Sequence, residues 1–240
     1  MVLPDIREKK SFHLSLIYPN LPPEGSPYRF IHIPKTAGTS VRNWLAKISN
    51  IEIYYGKGQI PLNQRNNLKS KSVIGMHNPA ERFNEESIKF TVVRHPYTRL
   101  YSAYNYIKTN INLHEKFRIP DISFANFIED YVYCEKFTEF FVTQRIFLVG
   151  RLKRTYLHVN HIFKIENLED ELQNFFDVDY PLPNYNSINT DNEELLEVLK
   201  DKRLKKIIDD AYKWDLKHLN YSADPEKMYQ FEPLDHNKPY

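Results

Sequence analysis

Residues 29–33, RFIHI, form a short apolar, β-branched run that Pro34 cuts off, and Val41, Trp44, Leu45 and Ile48 then recur at helical spacing. A buried strand that turns at once into an amphipathic helix is half of a parallel β-α unit. The pattern returns along the chain. KFTVVR (89–94) is a second buried strand, stopped by Pro96, and Leu100, Tyr101, Tyr104 and Ile107 mark one face of the helix behind it. HIFKI (161–165) is a third strand, and Asn167 stands where it can cap a helix running to about Phe176. SVIGMH (72–77) reads as a further short strand, ending in a turn at Asn78-Pro79. Two helical patterns fall within 123–149, and more at 191–200 and 201–219.

Strands alternating with helices predict an α/β fold: three layers, with a central, mainly parallel sheet flanked by helices. Residues 1–28 carry five prolines and read as an irregular N-terminal arm; 222–240 read as a C-terminal tail. With no internal repeat and no linker composition, the expectation is a single domain over 1–240.

Net charge is +2, with 33 Lys and Arg against 31 Asp and Glu, so the chain lacks the basic excess of a dedicated nucleic-acid binder. The one cysteine, Cys134, allows no intrachain disulfide and no Cys-based zinc site, and a cytoplasmic, reducing setting is the simplest expectation. No stretch of ~18 apolar residues occurs, so no membrane span is expected, and the first twenty residues show no signal-peptide pattern.

The strand-to-helix junction is the first place that carries chemistry. In FIHIPKTAGTS (30–40), one lysine, three hydroxyls and one glycine are packed together in a chain with only six glycines. Backbone N–H groups and the positive end of a helix dipole converge at such a turn, which makes it an anion seat. Lys35 adds a charge, Thr36, Thr39 and Ser40 add donors, and Gly38 allows close backbone approach or a positive φ. The structural alternative is a helix capped by Thr39 or Ser40 with an incidental lysine. The turn does not follow the G-x-x-x-x-G-K-[ST] pattern of nucleoside triphosphatases, since Lys35 precedes Gly38.

Arg94 is the second place. It sits at the C-terminal end of a buried strand, where α/β ligands bind, and Ser102 follows eight residues later in the next helix. A guanidinium fork and a hydroxyl suit a second phosphate. Two anion grips in one α/β domain point to a ligand with phosphate groups at both ends.

IPKTAGTS followed by VVRHPYTRLYSAY resembles the sulfotransferases that use 3′-phosphoadenosine 5′-phosphosulfate (PAPS), most closely the carbohydrate 2-O-sulfotransferase-like branch. QRIFLVG (144–150), IENLEDEL (165–172), LPNYNS (182–187) and YKWDLKHLNY (212–221) follow in the order this likeness implies, so it spans about residues 29–221. The resemblance implies a P-loop-like sulfotransferase fold. It implies that Lys35, Thr36, Ala37, Gly38, Thr39 and Ser40 bind the 5′-phosphosulfate and that Arg94 and Ser102 bind the 3′-phosphate. Arg99 then supports the loop or helix. His95 stands where many relatives have Asp or Asn.

Transfer to a hydroxyl needs a base for that hydroxyl and a cation for the leaving oxygen. Lys35 supplies the cation. His77 is the expected base: it ends the strand in IGMHNP, titrates near neutrality, and matches the base of the 2-O-sulfotransferase-like branch. No acid lies within 41–51 to act instead. His77 can also be read as a turn histidine bonded near Asn78-Pro79, His32 as structural, and His95 as a lesser candidate for the base. The scheme requires no metal. The expected function is transfer from PAPS to an acceptor hydroxyl, on a carbohydrate. A P-loop-like kinase and a silent nucleotide- or glycan-binding protein are the alternatives. The acceptor's identity and the oligomeric state are not legible.

Overall fold

The computed structural model describes residues 28–49, 88–110, 122–132, 138–149, 157, 159–183, 192–230, 232 and 234. Strand 72–77 with His77, Cys134, His158 and the basic stretch at Arg151, Lys153 and Arg154 lie outside the described residues.

Three strands pair in parallel in the order β1 (Tyr28–Ile31), β2 (Ile88–Val93), β3 (His161–Lys164). Phe30 lies opposite Phe90, and Phe90 opposite His161. The period-2 alternation of β2 sorts its side chains between two apolar clusters. Phe90 and Val92 join Phe30 and Phe163 against Val41, Trp44 and Leu45 of α1 (Gly38–Ser49) and Leu172 and Phe176 of the helix after β3. Val93 joins Ile31 and Ile162 against Phe147, Leu148 and Leu216. Thr91, between them, donates its hydroxyl to the Ile31 carbonyl at 2.6 Å, which removes a buried polar group from the account.

Helix α2 (Pro96–Thr109) begins as its sequence dictates. Pro96 takes the first helical position, where its missing N–H costs nothing, and His95 caps it by accepting the Tyr97 N–H at Nδ1. Leu100, Tyr104 and Ile107 of α2 pack with α3 (Phe124–Tyr131), α4 (Thr138–Phe141) and two later helices in a third cluster rich in aromatic rings. Phe124 and Tyr101 meet edge-on with centroids 4.9 Å apart, a preferred geometry for ring pairs. The 123–149 segment thus holds three short helices among the described residues, the third being α5 (Arg145–Val149), rather than the two its periodicity suggests. α6 (Leu168–Phe176) follows β3 through a 3₁₀ turn at Ile165–Asn167, and Asn167 precedes it without a side-chain cap bond.

The stretch read as one helix over 201–219 is two, α8 (Lys202–Ala211) and α9 (Lys213–His218), preceded by α7 (Glu193–Lys200). The break falls at Tyr212, whose buried hydroxyl donates to the Phe141 carbonyl at 2.5 Å. Asp201 caps α8 through the N–H groups of Arg203 and Leu204. The segment from 222, read as the start of a tail, is docked at its beginning: a 3₁₀ turn at Pro225–Lys227 leads to Met228, which is buried in the helical cluster. No helix among the described residues is long and apolar enough to cross a membrane.

Candidate active site

In a parallel sheet every strand delivers its C-terminal end to one edge, so the loops after β1, β2 and β3 meet there. Those loops carry Lys35, Arg94 and Glu166 respectively.

The loop after β1 is a tight turn in which Lys35 (φ 67°) and Ala37 (φ 61°) both take left-handed backbone conformations. Such conformations are costly for residues with a Cβ and persist where the surroundings hold them. Successive N–H groups in turns of this kind form anion-binding concavities. Helix α1 opens with the Val41 N–H donating to the Ala37 carbonyl at 3.0 Å. The capping position is therefore Ala37, and Thr39 and Ser40, expected as caps, lie inside the first turn. The Thr36 hydroxyl donates to the Ile33 carbonyl at 2.9 Å and is fully buried. It tightens the turn, which leaves its backbone as what it can offer an anion. Gly38 is needed for space and not for a positive φ: a Cβ there would lie 2.0 Å from the His32 ring. His32 itself is buried and stacked on Phe30, in keeping with a structural role.

The loop is braced from behind. Arg99, fully buried on α2, donates from Nε to the Pro34 carbonyl at 3.0 Å and from one Nη to the Val142 carbonyl at 2.8 Å. This is the supporting role that its place in the sequence implies.

Lys35 is half-buried, and its ammonium sits 4.0 Å from the centroid of the Tyr106 ring. Burial first, and then the positive charge of Arg94, push its pKa down to about 8. The effect of Arg94 on Lys35 puts the two cations within electrostatic reach of one another. Among the described residues no carboxylate forms an ion pair with either. Two like charges held close together repel one another, and an anion between them relieves that repulsion.

Arg94 follows β2 and is gripped by its main chain. Gln144 accepts the Arg94 N–H at 3.0 Å and donates to its carbonyl at 2.9 Å, so a side-chain amide extends the strand by one rung. Gln144 is held by Asp215, which is wholly buried on α9. Asp215 accepts the N–H groups of Gln144 at 2.8 Å and Arg145 at 3.2 Å, and the Thr143 hydroxyl. The carboxylate thereby caps α5 from another helix; burial raises its pKa and these donors work against that rise. The Arg94 side chain is aimed by Thr98, whose hydroxyl accepts from Nε at 3.0 Å. Ser102 lies one turn further along α2, half-buried.

Glu166, after β3, accepts the His95 N–H at 3.2 Å and the Tyr221 hydroxyl at 3.1 Å, and its charge favours the charged form of Arg94. Behind it Lys164, buried, donates to the Asn220 carbonyl at 2.8 Å and lies 4.1 Å from the Tyr221 centroid. Burial brings its pKa down to about 8. His95 has both ring nitrogens in use: Nδ1 accepts from Tyr97, so Nε2 donates to the Ser222 carbonyl at 2.8 Å. Burial holds its pKa down at about 4, so it stays neutral. A fully buried ring with both nitrogens occupied is a structural element, and His95 drops out as a base.

The structure thus brings together the 35–40 turn, Arg94 and Ser102. It adds Gln144, Asp215, Glu166, Lys164 and Tyr221 as the groups that hold Arg94 and His95 in place. Each lies in or beside a segment the resemblance selected, yet nothing local in the sequence assigns their roles. The basic stretch at 202–206 is largely paired: Lys205 with Asp209 at 2.6 Å, Lys206 with Asp210 at 2.7 Å, and Arg203 with Glu129. Arg203 and Lys206 are largely exposed, while Lys205 is half-buried. No group of three His, Cys, Asp or Glu able to hold a metal occurs among the described residues.

A family model described as the sulfotransferase family matches residues 28–222. No curated protein and no solved structure matches the chain.

Proposed function

The chain belongs to the sulfotransferase family, and on that premise we propose that it moves a sulfuryl group from PAPS to a carbohydrate hydroxyl, in the manner of the 2-O-sulfotransferase-like branch. The observation that carries this reading is the placement of Lys35 and Arg94. They leave adjacent parallel strands at one sheet edge, the charge of Arg94 lowers the pKa of Lys35, and neither is in an ion pair among the described residues. The donor set suits a ligand with separated phosphate groups. The 35–40 turn would hold the 5′-phosphosulfate through backbone N–H groups, Lys35 and the hydroxyls of Thr39 and Ser40. Arg94 and Ser102 would hold the 3′-phosphate. PAPS, when bound, supplies an activated sulfuryl group.

In this mechanism His77 takes the proton from the acceptor hydroxyl as the new oxygen–sulfur bond forms. Lys35 stabilises the charge that develops on the departing phosphate oxygen as the old sulfur–oxygen bond breaks. Arg94, fixed by Gln144 and Thr98, keeps the nucleotide in register for in-line displacement. The apolar clusters against alternating faces of β2 support a three-layer, P-loop-like fold. Residues 1–240 as one domain and a cytoplasmic setting, the latter from the single cysteine, complete the reading.

The test is calorimetric titration of the purified protein with adenosine 3′,5′-bisphosphate, beside ATP with magnesium. Binding of the bisphosphate, lost or weakened in Arg94→Ala, is expected. Binding of ATP alone would overturn the assignment of Arg94 and Ser102 and favour a kinase.

A further inference from the structure

Thr98, Ser102 and Tyr106 are spaced four apart on α2 and so lie on one face of it, each about one turn above the last. The two ends of this stripe hold the two cations of the site. Thr98 takes Nε of Arg94 at 3.0 Å, and the Tyr106 ring takes the ammonium of Lys35 at 4.0 Å.

We propose that Tyr106 is a positioning residue for Lys35, its ring face holding the ammonium at the 5′ end of the stripe while Ser102 and Arg94 serve the other end. The proposal rests on the reading of Lys35 as the cation that meets the 5′-phosphosulfate.

The physical case has three parts. Lys35 sits on left-handed backbone at the crest of a tight turn, so its four-carbon side chain needs a second restraint to point one way. A ring face attracts an ammonium by its quadrupole, more strongly where water is partly excluded, and Lys35 is half-buried. An ammonium has three donors, and a ring occupies only one side of it, so the opposite side stays available to an anion. The ring itself is held: Tyr106 is half-buried and packs against Phe140 with centroids 5.7 Å apart. The ring's attraction for the ammonium also partly offsets its repulsion by Arg94.

The test uses the full chain as wild type, Tyr106→Phe and Tyr106→Leu. Lysines are reductively methylated with ¹³C-formaldehyde, and the Lys35 signal is assigned by its loss in Lys35→Arg. Ring current should place that signal upfield of free dimethyl-lysine in wild type and Tyr106→Phe, and return it to the free position in Tyr106→Leu. A wild-type signal at the free position, or an upfield signal that survives in Tyr106→Leu, would overturn the proposal. Binding supplies the second arm. Adenosine 3′,5′-bisphosphate should bind Tyr106→Leu about threefold to tenfold more weakly, with Tyr106→Phe close to wild type. Adenosine 3′-monophosphate, which lacks the 5′ group, should bind all three alike. Equal losses for both nucleotides would mean general damage to the helix and would also overturn the positioning role. If the wild-type signal lies upfield and Lys35→Ala nonetheless binds the bisphosphate as wild type does, the assignment of Lys35 to the 5′ group fails, and the positioning role fails with it.

Discussion

Lys35 is a lysine whose neighbourhood removes part of its reason to be charged. Burial and Arg94 bring its pKa from 10.5 to about 8, so it begins to lose its proton at mildly alkaline pH. A bound anion favours the protonated form, so affinity is full below the free pKa and falls as pH rises through it, toward about tenfold per unit. Bisphosphate affinity should therefore decline between about pH 8 and 9.5 in wild type. Lys35→Arg, whose guanidinium does not titrate in that range, should flatten the curve. Lys164 also titrates near pH 8 but remains in that variant, so a decline that persists in Lys35→Arg would transfer the effect away from Lys35. Gly38 makes a prediction independent of function. Alanine gains about 1 kcal/mol of helix propensity, but its Cβ would lie 2.0 Å from a buried ring that is stacked on Phe30. The clash outweighs the gain, and Gly38→Ala should lose roughly 1–3 kcal/mol in chemical denaturation. A variant as stable as wild type would show that the His32 contact does not constrain this position. His77 carries the chemical step in the proposed mechanism. His77→Ala should lower kcat by about 10²- to 10⁴-fold with bisphosphate affinity unchanged, and wild-type turnover would remove it from the mechanism.

Between elements, Asp215 has the widest reach. It sits on α9, caps α5, and through Gln144 fixes the main chain of Arg94 after β2. Asp215→Ala leaves the N–H groups of Gln144 and Arg145 without their acceptor in a buried place, a loss of about 1–3 kcal/mol or more. A melting temperature lower by roughly 3–10 °C is expected, with bisphosphate affinity reduced even far below that temperature. Asp215→Asn, which keeps one acceptor oxygen, should recover part of both. Unchanged affinity in a destabilised Asp215→Ala would confine the residue to stability. The same network explains what was legible in the chain. β1, β2, α2 and α6 come from local signals, namely short apolar runs, a proline at the first helical position and 3.6-residue periodicity, and the described elements fall within one or two residues of those signals. The positions of the Lys35 turn and Arg94 were legible because they stand between a strand end and a helix start, and that of Ser102 because it falls in the second turn of α2. Gln144 and Asp215 were not, because their bonds join residues 50 and 71 positions apart. Tyr212 was not for the same reason: it ends α8 through a bond to Phe141, 71 residues away, while the helical period runs on past it.

At the scale of the molecule, two apolar clusters pack against the sheet and a third packs along α2, and the segment from 222 meets the start of α2 beside the site. His95, the cap of α2, donates to the Ser222 carbonyl at 2.8 Å, and the Ala223 carbonyl lies 3.0 Å from the Tyr97 hydroxyl, sharing its one proton. Tyr97 also bonds Asp209 of α8 at 2.5 Å. Six residues on, Met228 inserts into the helical cluster at 2% exposure, and Tyr229 beside it is near enough to Arg94 to affect its titration. A tail held only by chance contacts would contribute nothing when removed. This one buries a methionine, worth about 1.5–3 kcal/mol, and satisfies the Nε2–H donor of His95 at about 1 kcal/mol. Ending the chain after Tyr221 should therefore cost about 2.5–4 kcal/mol and lower the melting temperature by roughly 10 °C. The same truncation uncovers the capping ring of His95, whose main chain adjoins Arg94, so bisphosphate binding should weaken at temperatures where the shortened protein is still folded. Met228→Ala separates the two effects: it removes the apolar anchor but leaves the Ser222 and Ala223 carbonyls in the chain. If truncation and Met228→Ala lose the same stability and neither alters affinity, the segment is an anchor for the helical cluster alone. A larger loss of affinity on truncation than in Met228→Ala would show that residues from 222 onward support the start of α2, and with it the arginine side of the site.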